Sequence, residues 1–69
     1  MRRDHVASSN LISAGYEPSS ETLEIEFMNG SVYQYYNVPQ SIYEQFLAAP
    51  SKGRFLSSQI KDRFPYARV

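Results

Sequence analysis

Residues 22–37 constrain the fold more than any other stretch. A strictly alternating segment, an Asn-Gly pair and an aromatic-rich segment follow one another there. Thr22-Leu23-Glu24-Ile25-Glu26-Phe27 has the period of a strand with one buried face, Leu23, Ile25 and Phe27 pointing inward. Asn29-Gly30 is the strongest short hairpin signal a sequence carries, because both residues tolerate positive φ. Ser31 to Asn37 (SVYQYYN) supplies the aromatic and β-branched residues of the returning strand.

The turn fixes which face each tyrosine occupies. A two-residue turn pairs Phe27 with Val32 and sets Tyr33 and Tyr35 opposite Glu26 and Glu24, exposed beside carboxylates that repel phosphate. A three-residue turn with Gly30 in the left-handed bulge position pairs Phe27 with Ser31. Tyr33 and Tyr35 then share the face of Ile25 and Leu23, and Gln34 and Tyr36 point outward. The second register is favoured, because the first buries Gln34 in the core. It makes Tyr33 and Tyr35 mainly structural, with hydroxyls at the rim, and Tyr36 the exposed aromatic.

Upstream, Ser9 to Tyr16 reads as a first strand, closed by the turn residues Glu17-Pro18-Ser19-Ser20. Downstream, Val38-Pro39 ends the sheet. Pro39 suits a first helical turn, and Ser41 with Glu44 resembles a capping box. The pairs Ile42/Phe46 and Tyr43/Leu47, each four apart, give that helix one buried stripe, and Ala48-Ala49-Pro50 stops it. Ser51 caps a second helical segment, in which Leu56, Ile60 and Phe64 recur every four residues before Pro65 closes it. The expected fold class is α+β: a three-stranded antiparallel meander followed by two short helices packed on one face. Residues 1–5 are expected to be a flexible N-terminus and residues 6–69 a single domain.

A chain of 69 residues buries only about 60% of its unfolded surface and has little stability to invest in a strained active site. With no cysteine and His5 as the lone histidine, thiolate chemistry and Cys-based metal sites are excluded, and no cofactor is expected. Asp4, His5 and Ser8 or Ser9 are residue types of a hydrolase triad, but no strand-to-helix elbow holds a nucleophile among them. Glu24 and Glu26 are expected to decorate a solvated outer strand face. No apolar run approaches the roughly 20 residues of a membrane span, and Met1-Arg2-Arg3-Asp4 leads into no signal-peptide core. The expectation is a non-enzymatic, cytoplasmic domain with no membrane partner.

The formal net charge of +0 hides an uneven distribution. From Asp4 to Asn37 the charges are all acidic, whereas from Val38 onward Lys52, Arg54, Lys61, Arg63 and Arg68 face only Glu44 and Asp62. Such asymmetry marks a candidate basic face. Within it, Ser51-Lys52-Gly53-Arg54 sets a helix start, a glycine and two cations together, an arrangement that suits anions. Its ordinary structural use is a serine cap with a glycine for tight packing. The candidate nucleic-acid contacts are Lys52, Gly53, Arg54, Lys61 and Arg63 for phosphate, with Tyr33, Tyr35 and Tyr36 for base stacking.

Val6, Ser8-Ser9, Gly15-Tyr16, Leu23 to Phe27, Asn29-Gly30, Tyr33-Gln34-Tyr35, Val38-Pro39, Ala49, Ser51-Lys52-Gly53, Ile60-Lys61 and Tyr66 stand in an order and spacing that closely resembles the KTSC domain family. The family is named for a segment at the C-terminus of some lysyl-tRNA synthetases and also occurs as free-standing bacterial proteins. The resemblance runs from Val6 to about Tyr66, with the family's Tyr-x-Tyr on Tyr33 and Tyr35 and its Ser-Lys-Gly step on Ser51, Lys52 and Gly53. Glu17 stands where the family more often has Asp, and Ser57 where it has Asn; both departures are mild. The resemblance implies no established activity, and the synthetase fusions imply RNA, structured RNA such as tRNA included, as a partner.

Two functional readings follow. In one, an RNA-binding module uses the basic helix-start segment and exposed tyrosines, and unchanged RNA binding after Lys52→Ala and Arg54→Ala would refute it. In the other, a protein-interaction module docks a partner on the outer sheet face, with Tyr36, Val32 and Glu24, or on the last strand edge. No lysine lies in the expected strands to protect an open edge, which favours a partner or a second copy there.

Overall fold

The structure is a computed structural model and describes residues 1–6 and 10–69. Five strands form one antiparallel sheet in chain order: β1 (Asp4–His5), β2 (Leu11–Glu17), β3 (Thr22–Phe27), β4 (Val32–Tyr35) and β5 (Tyr66–Arg68). The α+β class and the central meander are as the sequence implies, but the sheet has five strands, not three. The two additional strands are edge strands of two and three residues, too short to show an alternating pattern. Residues 4 and 5, expected within a flexible N-terminus, pair with Ser13 and Ala14. Ser9, the expected start of the first strand, lies outside the described residues, as does Ser8.

The hairpin adopts the three-residue turn. The Phe27 amide donates to the Ser31 carbonyl at 2.8 Å and the Gly30 amide to the Phe27 carbonyl at 2.9 Å, with Gly30 at φ +88°. This is a tight turn closed by a left-handed bulge residue, a position glycine fills without a Cβ penalty. The resulting register sets Ile25 opposite Tyr33 and Leu23 opposite Tyr35. Leu23, Ile25 and Tyr35 are buried, and Gln34 turns to the other face to donate to Glu24 at 2.9 Å.

Helix α1 spans Gln40–Ala48 and packs Phe46, completely buried, on the sheet's inner face. Pro39 is its N-cap rather than its first helical residue, and the Pro39 carbonyl accepts from the amides of Ile42 and Tyr43. Ser41 therefore sits inside the first turn, and the expected Ser41–Glu44 capping box does not form. Leu47 is 44% exposed and falls off the stripe formed by Ile42, Tyr43 and Phe46. The Tyr16 hydroxyl donates to the Val38 carbonyl and its ring stacks on Tyr43 at 4.7 Å, which fastens the start of α1 to β2.

The second helical segment begins as expected. The Ser51 hydroxyl accepts the Arg54 amide at 3.3 Å at the head of α2 (Lys52–Phe55). The chain then widens into a π-helical turn over Leu56–Ile60, closed by the Lys61 amide donating to the Leu56 carbonyl at 2.8 Å. Leu56 and Ile60 are buried and Phe64 half-buried, so the four-residue spacing marked the packed face correctly. After Pro65, β5 returns along β4 and covers the edge that the meander alone would leave open.

The outer sheet face is not simply solvated. Arg3 crosses it, its Nε 3.4 Å from Glu24 and its Nη2 3.8 Å from Glu26, while the Ser13 hydroxyl donates to Glu26 at 3.1 Å. The acidic half of the chain is thus largely countered on the face away from the helices.

Candidate nucleic-acid interface

A cleft of about 470 Å³ opens between the hairpin tip, the inner face of β4, β5 and the second helical segment. Its aromatic wall comes from Tyr33 and Tyr35 on β4 and Tyr66 on β5; Met28 and Asn29 bound it at the hairpin tip. Gly53, Leu56, Ser57 and Lys61 form the helical wall. Its volume falls in the ~300–1,000 Å³ range of small-ligand sites. No acidic residue lines it, so Lys61 sets the sign of its field.

Local structure explains this grouping. The hairpin bulge turns Tyr33 and Tyr35 to the helix side of β4. β5 pairs Tyr66 with Tyr35, and the three rings cluster with centroids 5.7 Å (Tyr35–Tyr66), 5.9 Å (Tyr33–Tyr66) and 6.5 Å (Tyr33–Tyr35) apart. Phe27 meets Tyr33 edge-on at 5.6 Å and holds the cluster from the hairpin side. Residues five apart on an α-helix point about 140° away from each other. The π turn, which bonds the Lys61 amide to the Leu56 carbonyl, narrows that divergence, and both residues line the cleft. Such turns recur at functional sites because their wider backbone is kept only where it serves a purpose.

Burial raises the Tyr35 hydroxyl above its ordinary pKa of 10.0, and the neighbouring Tyr33 and Tyr66 push the same way. Tyr35 is therefore a neutral hydroxyl at physiological pH. The cleft as a whole offers aromatic faces, uncharged polar groups and one cation, the chemistry of a ligand that is part planar ring and part anion.

Of the residues proposed from sequence, Tyr33, Tyr35, Gly53 and Lys61 come together here. The others lie elsewhere. Lys52 turns its ammonium back to the Ala49 carbonyl at 3.5 Å, and Arg54 is exposed. Arg63 donates to Gln59 at 3.1 Å and borders a shallow neighbouring hollow shared with Lys61 and Tyr66. Tyr36, expected to be the exposed aromatic, is half-buried on the outer face and donates to Gln34 at 3.1 Å. The exposed ring is Tyr66, at 55%. Sequence reasoning left Tyr66 out of the site because three residues after a proline carry no strand periodicity; its place in the Tyr66-containing family pattern was the available signal. Asp4 and His5 are successive strand residues, Asp4 opposite Ala14 and His5 opposite Ser13, so their side chains take opposite faces.

The family model for the KTSC domain matches residues 7–64. A KTSC domain protein from Yersinia pestis, known from a crystal structure, superposes with a TM-score of 0.95 at 40% identity, over 99% of this chain and 96% of that one. A protein of Tsukamurella paurometabola is 42% identical over 59 residues, 86% of this chain and 88% of its own. A lysine–tRNA ligase of Nostoc sp. is 43% identical over 54 residues, which make up 78% of this chain but only 10% of the ligase.

Proposed function

This chain belongs to the KTSC domain family, and we propose that it is a small non-enzymatic module that binds RNA through the cleft between its tyrosine cluster and Lys61. The observation that carries this reading is the meeting of Tyr33, Tyr35 and Tyr66 with Gly53 and Lys61 around one opening free of carboxylates. Aromatic faces stack on bases, and a lysine meets phosphate. Arg63, beside the cleft, extends the cationic surface by one residue. The similarity to one tenth of a lysine–tRNA ligase, a protein named for acting on tRNA, points to the same class of partner. Glu24 and Glu26, which would repel phosphate, lie on the opposite face and are countered by Arg3. The sheet edges give strand addition little purchase, since β1 and β5 have two and three residues.

Fluorescence anisotropy with labelled tRNA at low and moderate salt tests this. Binding is expected to weaken with salt by about 0.7 log units per phosphate contact for each tenfold rise on a single-stranded segment. Lys61→Ala and Arg63→Ala should each weaken it, and Lys52→Ala and Arg54→Ala should not, which would refute the helix-start segment as the interface in favour of the cleft. Loss confined to Lys52→Ala and Arg54→Ala would move the interface to the head of α2. No binding at low salt by the folded domain would end the RNA reading.

A further inference from the structure

Resting on the RNA reading, we infer that the cleft takes one unpaired nucleotide of a single-stranded segment, its base on the ring of Tyr66 and its phosphate at Lys61, and that it does not grip a duplex.

The supply of cations comes first. Arg2 pairs with Asp4, Arg3 with Glu24 and Glu26, Lys52 with a backbone carbonyl and Arg63 with Gln59. Among the described residues only Arg2 and Arg3 are in ion pairs. This leaves five cations without a carboxylate partner, Lys52, Arg54, Lys61, Arg63 and Arg68, spread from α2 to β5 in a chain of net charge +0. Duplex binders that hold the backbone use on the order of 6–10 phosphate contacts. Those that read RNA by shape follow about 16 base pairs, a longer track than the 28 Å greatest extent of this molecule. Five scattered cations fall short of that number and the molecule is shorter than that track, so attraction rests largely on stacking and base edges.

The cleft is built for that. Tyr66 is 55% exposed, yet its ring contacts Tyr33 and Tyr35 at tilted angles with centroids 5.9 and 5.7 Å away, so part of its freedom is already lost before a base stacks. A paired base has both faces and its Watson–Crick edge occupied; only an unpaired one can lie on Tyr66 and present an edge to the wall. That wall offers the Ser57 hydroxyl and the Asn29 amide, whose oxygen is already taken by the Ser31 amide at 3.0 Å, leaving its NH2 as a donor. Lys61 stands on the same opening, at the distance in sequence that the π turn makes possible.

The experiment compares a short labelled single-stranded RNA with the same RNA annealed to its complement, by anisotropy, against the whole chain and three variants. The single strand is expected to bind at least about tenfold more tightly than the duplex. Tyr66→Ala should weaken single-strand binding by about fivefold to a hundredfold, the range set by loss of one base–aromatic stack. Tyr66→Phe should restore most of it, which a merely structural role for the hydroxyl would not allow. Lys61→Ala should flatten the salt dependence. Duplex binding equal to or tighter than single-strand binding, or an unchanged affinity in Tyr66→Ala, overturns the inference while leaving RNA binding in place. Failure of both RNAs to bind the folded domain overturns the RNA reading itself.

Discussion

Replacing Gly15 by alanine sets two calculable effects against each other. Gly15 lies buried in β2 opposite Glu24, under the backbone of the N-terminal segment. A Cβ there would collide with the Arg2 carbonyl oxygen and stand 2.9 Å from Arg3 Cγ and 3.1 Å from the Arg2 carbonyl carbon. Alanine also restricts the unfolded chain, which stabilises the fold by about 0.4–1 kcal/mol where the native backbone accepts it. The overlap is with the main chain of Arg2, so no rotamer change relieves it; the segment leading into β1 must move. Overpacking of this kind costs about 1–3 kcal/mol. Withdrawing Arg3 from Glu24 and Glu26, at 3.4 and 3.8 Å and less than one-third exposed, adds up to about 1 kcal/mol. The overlap wins, and a net loss of about 1–3 kcal/mol is expected. At about 0.05–0.15 kcal/mol per residue, a chain of 69 residues holds roughly 3.5–10 kcal/mol, so the loss is easily measured. Urea unfolding of the parent, Gly15→Ala, Arg3→Ala and the double variant gives the answer. Arg3→Ala should cost less in the Gly15→Ala background, with a coupling of at least about 0.5 kcal/mol, because the clasp is already displaced. A raised midpoint for Gly15→Ala, or strictly additive losses, would show that the N-terminal segment does not lie across Gly15.

Three further outcomes are expected. Gly30→Ala should destabilise by about 1–2 kcal/mol from backbone strain alone, since Gly30 sits at φ +88° and a Cβ there meets nothing within 4 Å; Gly30→Asn, better suited to that region, should recover part of it in the same urea assay. Phe46→Ala removes the largest completely buried side chain and should cost about 3–5 kcal/mol, enough to leave much of the population unfolded by far-UV circular dichroism; a cooperative fold with an unchanged midpoint would contradict the packing. At alkaline pH, burial holds Tyr35, Tyr16 and Tyr43 above the ordinary value of 10.0. A raised folded-state pKa favours the protonated phenol on folding, so this stability is fully present below pH about 10 and lost as pH rises through the folded values. The urea midpoint should hold up to about pH 10 and fall above it, and Tyr35→Phe should lessen the fall; an unchanged parent midpoint above about pH 10 would refute the burial of these hydroxyls.

Much of the fold was legible in short stretches. The hairpin register followed from Asn29-Gly30 and from the cost of burying Gln34, both local matters, and the bulge at Gly30 realises that choice. The packed faces of both helical segments followed from four-residue spacing at Phe46, Leu56 and Ile60. The capping box at Ser41 misled because its spacing fits a cap equally well two residues inside a helix that Pro39 has already begun. The edge strands left no trace, since two or three residues complete no alternating period.

The site was only half visible. Tyr33, Tyr35, Gly53 and Lys61 were named from the sequence, but as members of separate surfaces. Joining them took Tyr66, which reaches Tyr33 and Tyr35 across the β4–β5 pairing, and the π turn that carries Lys61 to the opening. Arg3 and Gly15 likewise meet only because β1 folds back on β2, which sets Arg3 against Glu24 and Glu26 on the face away from the cleft. By itself the sequence determined what local chemistry determines: turn type, strand register and the buried stripe of each helix. Only tertiary structure decided which face holds the site, because the contacts that build it join residues tens of positions apart and no periodicity spans that separation.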